Sequence, residues 1–210
     1  QGGVYMSFIN PFQLYSEKEN TTTNNVLLFL SNLYRIDSKI YELFINSILP
    51  ENINYNALPV FEQQKKQKEG GIIDGYIEIK SSKIIIETKL DGTDSKNKLI
   101  NYCKNAFEKS EQHSETNILI HISDSTFDEN IIKFINKKIG IYNFDFVSIT
   151  FSELLSSLQE ITEEYPFNEE LYSLSKDFYY YCSSMNLIKN VFRIVPCNKS
   201  FELNKKYRLY

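Results

Sequence analysis

Three kinds of hydrophobic spacing follow one another along the chain, and each predicts a different element. Over residues 13–49 apolar side chains recur at intervals of three and four, with Val26, Leu27, Leu30, Leu33 and Tyr34 on one stripe, as on an amphipathic helix. Polar residues over 16–23 can cap its start, Pro50 closes it, and a break near Asp37-Ser38 divides it into two helices. Residues 61–68 then read as a strand polar enough for a sheet edge. The stretch 70–90, GGIIDGYIEIKSSKIIIETKL, holds two short apolar runs joined at Ser81-Ser82, which predicts two adjacent strands.

Further along, Thr93 or Asp94 caps a helix to about residue 110, turning Leu99, Ile100, Cys103 and Phe107 inward. Residues 117–122 form a buried strand, 127–138 an amphipathic helix and 142–150 another strand. Residues 151–161 and 168–187 are helical, the second rich in aromatics, and 191–195 pairs with 205–210 as a terminal hairpin. This order predicts an α/β sandwich with a central mixed β-sheet flanked by helices, followed by a helical C-terminal section. Residues 6–150 are expected to form the α/β core, with 151–210 packed on it as an extension. Residues 1–5, ahead of Met6, read as a cloning remnant, and the strand-like ending at Tyr210 suggests a fragment of a longer protein.

Side chains alternate across a strand, so Ile72, Asp74, Tyr76 and Glu78 share one face of the first central strand. Ile85, Glu87 and Lys89 share a face of the second, whose greasy run looks covered on both sides. A charge buried there costs several kcal/mol unless it is paired, hydrogen-bonded or metal-bound. Glu87 and Lys89 are therefore poor candidates for plain surface residues, although a cross-strand salt bridge serving only the sheet would also account for them.

Composition narrows the chemistry. With 210 residues, 42% hydrophobic content and 15 Phe and 15 Tyr, the chain can build a real core. Its net charge of −4 excludes a generic polyanion binder, but the charge is laid out in blocks. Residues 65–109 carry ten lysines against seven acids, 151–185 seven acids against one lysine, and 186–210 six basic residues against one acid. The basic blocks would suit a phosphate backbone. Three widely spaced cysteines, Cys103, Cys182 and Cys197, argue against a disulfide framework or zinc cage and for a reducing, cytoplasmic setting. No apolar run is long enough for a membrane span, so no membrane partner is expected.

His113 and His121 lack metal-ligand spacing to a cysteine, and His121 reads as a core or sheet-face histidine. There is no nucleophile elbow, Walker loop or G-x-G-x-x-G. The carboxylates remain. Four acid-x-Lys tripeptides occur, beginning at Asp37, Glu78, Glu87 and Asp94. Only Glu87-Thr88-Lys89 lies on an apolar strand that follows a strand bearing a suitably placed aspartate, Asp74.

Ile73-Asp74-Gly75, a hairpin, and Ile84-Ile-Ile-Glu-Thr-Lys89 together resemble the PD-(D/E)XK nuclease superfamily, the restriction-endonuclease-like fold. The resemblance covers residues 12–122; Ile73 stands where the family commonly has proline, and the glutamine that some members carry on the next helix is absent. It implies a Mg²⁺-dependent nuclease acting on DNA, with Mn²⁺ able to substitute. Asp74, Glu87 and the Thr88 backbone carbonyl would be metal ligands, Lys89 would orient the attacking water, and Glu19 on the first helix would hold a metal-bound water or second ion. Lys98, Lys65, Lys66 and Lys68 are the expected nucleic-acid contacts, though Lys98 also reads as a solvated helix lysine. Restriction, phage defence and repair are the settings such domains serve, as homodimers or within larger defence or repair complexes. Two alternatives stand beside this: a non-catalytic nucleic-acid-binding or protein-interaction module on the same fold, and an RNA nuclease. The run Phe178-Tyr-Tyr-Tyr181 is expected to pack rather than stack on bases.

Overall fold

The computed structural model describes residue 12 and residues 19–49, 58–66, 72–79, 82–90, 96–107 and 117–188. Helix α1 (Glu19–Ile36) and helix α2 (Ser38–Ile48) are divided where the sequence predicts. Asp37 has extended backbone and accepts from the amides of Lys39 and Ile40, so its carboxylate satisfies the amides that open α2.

Five strands form one sheet in chain order: β1 (Pro59–Lys66), β2 (Ile72–Ile79), β3 (Ser82–Thr88), β4 (Asn117–Ser123) and β5 (Phe144–Thr150). β1, β2 and β3 pair antiparallel, whereas β3, β4 and β5 pair parallel. Parallel pairing needs crossover connections, supplied by helix α3 (Lys96–Phe107) between β3 and β4 and helix α4 (Glu129–Ile139) between β4 and β5. Helices α5 (Phe151–Glu164) and α6 (Glu169–Ser184) complete the described chain. The architecture is an α/β sandwich with a mixed sheet and helices on both faces. β3 is buried on both sides except at Lys83, which is why it reads as a run of isoleucines rather than an alternation.

On one face α1, α2, α5 and α6 bury Phe29, Phe44, Phe151 and Phe178 against Ile77, Ile84, Ile86 and Ile120. On the other, α3 and α4 bury Leu99, Cys103, Ile135 and Ile139 against Tyr76, Ile85, Leu119 and Phe146. Phe178 stacks on Phe29 at 4.2 Å and Tyr181 is fully buried, whereas Tyr180 between them is exposed, so only the two ends of that aromatic run are core packing. Cys103 and Cys182 are buried free thiols.

Several expected boundaries shift. Ile79 pairs with Ser82, so Ser82 opens β3 rather than belonging to the turn. The inward stripe of α3 is Leu99, Tyr102, Cys103 and Ala106, while Ile100 and Phe107 are only half-buried; the helix lies rotated toward Tyr102. Residues 140–142 form a 3-10 turn and Asn143 adopts a left-handed φ of 57°, so β5 starts two residues late. The terminal hairpin, His113, Cys197 and the α3 cap lie outside the described residues. Among those described, no helix is long and apolar enough to cross a membrane.

Candidate functional site

The strand register assembles a polar row across the sheet. Gly75 and Ile86 form the last pair of the β2–β3 ladder, and Asp74 and Glu87 each lie one residue beyond it. Glu87 pairs with His121, and His121 with Ser148. Two residues further along β4 and β5, Ser123 pairs with Thr150. These residues sit toward the carboxyl ends of the parallel strands, where open α/β sheets place their binding crevices.

Gly75 lets helix α1 pack directly on the last pair of this ladder. A Cβ on it would fall 2.8 Å from the Thr23 methyl of α1 and 3.1 Å from both the Ile86 Cβ and carbonyl oxygen. The helix is pinned against this point by a 2.7 Å hydrogen bond between the Thr23 and Thr88 hydroxyls. Only a residue without a side chain allows so close an approach. Ile73 packs in the same core as Tyr76, three residues on, so strict alternation breaks at Asp74-Gly75.

Glu87 is 1% exposed and its Oε1 accepts from the Lys98 ammonium at 2.5 Å. Lys98, 37% exposed, reaches from the first turn of α3 and lies 5.5 Å from the centre of the Tyr102 ring. Lys98 and Tyr102 are four residues apart and share a face of that helix. The Tyr102 phenol is pushed up to about 12, chiefly by burial, with Glu87 and Asp74 raising it and Lys98 opposing them. Both strand carboxylates therefore act on one phenol, and Asp74, Glu87, Lys98 and Tyr102 form a single electrostatic cluster. Lys98 is bonded to Glu87 and is therefore not simply a solvated helix lysine: a buried carboxylate needs a counter-charge, and the first turn of α3 delivers one.

The other expected residues fall as follows. The Lys89 amide donates to the Ile122 carbonyl, which keeps the backbone on its strand course and places Lys89 on the Glu87 face. By the same alternation the Thr88 carbonyl is turned toward β2. Glu19 opens α1 one turn before Thr23, and Lys65 and Lys66 lie at the end of edge strand β1; the side chains of all three, and the whole of Lys68, lie outside the described residues. Sequence reasoning missed Tyr102, whose spacing of four from Lys98 was the available signal. It read His121 as a core residue; the ring is buried and packs on Phe127 at 4.9 Å and Phe146 at 6.5 Å, in register with Glu87.

Among the described residues no three His, Cys, Asp or Glu side chains gather as a metal cage. Two carboxylates and a backbone oxygen nevertheless suit a hard cation whose remaining ligands are water and phosphate. The fold and site thus define an α/β protein with a two-carboxylate, one-lysine cluster where two strands diverge. No family model matches the chain and no curated protein matches it. Among solved structures, Pyrococcus furiosus SfsA in complex with Ca²⁺ aligns with a TM-score of 0.31 and 15% identity, covering 55% of this chain and 57% of that one. The chain thus matches little more than half the length of that protein.

Proposed function

We propose that the chain is a metal-dependent nuclease of the PD-(D/E)XK type that hydrolyses DNA phosphodiesters. The observation that carries this reading is convergence on α3: the buried Glu87, one residue beyond the last β2–β3 pair, is bonded to Lys98, and the charges of Asp74 and Glu87 both reach the Tyr102 phenol beside it. Asp74, Glu87 and the Thr88 carbonyl would hold Mg²⁺ or Mn²⁺, which when bound supplies Lewis-acid polarisation of a phosphoryl oxygen and a more acidic water. Lys89 orients the attacking water on the Glu87 face. Lys98, kept in place by Glu87 and partly open to solvent, takes the charge that grows on the phosphoryl oxygens. Tyr102 remains protonated at neutral pH and so can donate its O–H to a phosphate.

The test is nicking of a supercoiled plasmid with Mg²⁺ or Mn²⁺. Wild type should cut, and Asp74→Asn, Glu87→Gln and Lys89→Ala should each lower the rate at least a hundredfold while melting as folded proteins. Cutting by those variants at the wild-type rate overturns the assignment.

One observation favours a second reading, a non-catalytic nucleic-acid-binding module. The ammonium of Lys98 already neutralises Glu87, so the buried acid is accounted for without a cation. DNA binding in chelator, with no cleavage on adding metal and no calorimetric heat with Mn²⁺, would select this reading.

A further inference from the structure

The helices α3 and α4 on one face of the sheet and α5 and α6 on the other carry opposite charge. α3 holds three lysines and no acid, and α4 three lysines against Glu129 alone. On the other face α5 holds four glutamates and no base, and α6 three acids against Lys176. The acids at the start of α4 are engaged, Asp128 as its N-cap and Glu129 beside Lys133 at 3.5 Å. A net charge of −4 therefore hides a basic pair of helices, lying over the side of the sheet that bears Glu87.

Between those two helices' lysines lies an apolar anomaly. Phe134 is 44% exposed on α4, and the ammoniums of Lys96 from α3 and Lys138 from α4 each lie 5.8 Å from its ring centre. An exposed aromatic ring between two cations offers a flat surface for a base and two charges for the flanking phosphates. A duplex could use the cations, but its base faces are closed inside the stack, so the ring would gain nothing from it.

We infer that the α3–α4 face, centred on Phe134 with Lys96 and Lys138, is a binding platform for single-stranded DNA. This deepens the nuclease reading by naming the form of its substrate. The platform stands on the same side of the sheet as the Asp74–Glu87 cluster, so a strand held there passes near the carboxylates.

The experiment uses the full chain, EDTA, and fluorescence anisotropy with a labelled 20-nucleotide oligothymidylate, its duplex and the matching oligouridylate. Single-stranded DNA should bind at least tenfold tighter than duplex. Phe134→Leu should weaken it about tenfold and Phe134→Tyr should retain it, as expected of base–aromatic stacking. Lys96→Gln and Lys138→Gln should each lower the slope of log affinity against log salt by about 0.7. Phe167→Ala, an exposed aromatic following α5, should leave binding unchanged. Duplex binding as tight as single strand, unchanged binding by Phe134→Leu, or tighter binding of the RNA strand overturns the inference. Chelator separates this from catalysis: a chain that binds single strands through Phe134 yet never cuts sinks the nuclease reading alone. One that cuts while Phe134→Leu binds normally sinks the platform alone.

Discussion

Glu87 sets the terms at the scale of single residues. Its carboxylate is sealed in the sheet and bonded to a lysine that remains partly solvated, so the pair is neither a surface salt bridge nor fully desolvated. Removing one partner leaves the other poorly compensated, whereas removing both does not. Lys98→Met and Glu87→Gln should each lower stability by about 1–3 kcal/mol, and the double variant by less than their sum. A coupling of about 1 kcal/mol, reduced by the solvation of Lys98, is expected from urea titrations; strict additivity would mean that the bond contributes nothing. The acid was legible in the sequence because a charge amid isoleucines is costly. Its partner was not: Lys98 lies eleven residues away, and the docking of α3 brings it to the carboxylate.

The element scale is governed by contact between α1 and the β2–β3 fork. Gly75→Ala drives a methyl into Thr23 and Ile86 and should destabilise by about 1–3 kcal/mol. Thr23→Ser keeps the hydroxyl bonded to Thr88 but removes the clashing methyl, so it should recover part of that loss in thermal melts. An unaltered melting temperature for Gly75→Ala would refute the close approach. At the start of α5, Thr150 and Glu153 form a reciprocal capping box, and Thr150→Ala should cost about 1 kcal/mol. The Asp37 break and the order of strands were readable because caps and periodicity are local. The rotation of α3 was not, since Leu99, Ile100, Cys103 and Phe107 form as good an apolar stripe as the one the sheet buries.

For the molecule as a whole, the buried hydroxyls and thiols make alkaline stability the informative axis. Burial pushes Cys103 and Cys182 above the usual thiol value of 9.0, and Tyr41, Tyr76 and Tyr102 above the usual phenol value of 10.0. Groups whose folded values are raised contribute stability that is whole below their unfolded values and is lost as pH climbs toward the folded ones. The urea midpoint should therefore hold to about pH 9 and fall steadily above it. In a Cys197→Ser background, the two remaining thiols should react with a thiol reagent no faster than the chain unfolds; rapid labelling of native protein would contradict their burial. The opposed charges of the two faces belong to this scale too. The blocks were visible along the chain, but which of them share a side of the sheet depends on crossovers.

Local patterns by themselves determined the helices, the strands, the mixed sheet and the strand residues Asp74 and Glu87, because hydrophobic period, capping and the cost of a buried charge act within a few residues. Only the tertiary structure decided that Asp74 and Glu87 both act on Tyr102, that Lys98 is bonded to Glu87, and that Phe134 lies among lysines on the same side. Those placements depend on strand register and helix docking, which join residues far apart in the chain and leave no periodic trace in it.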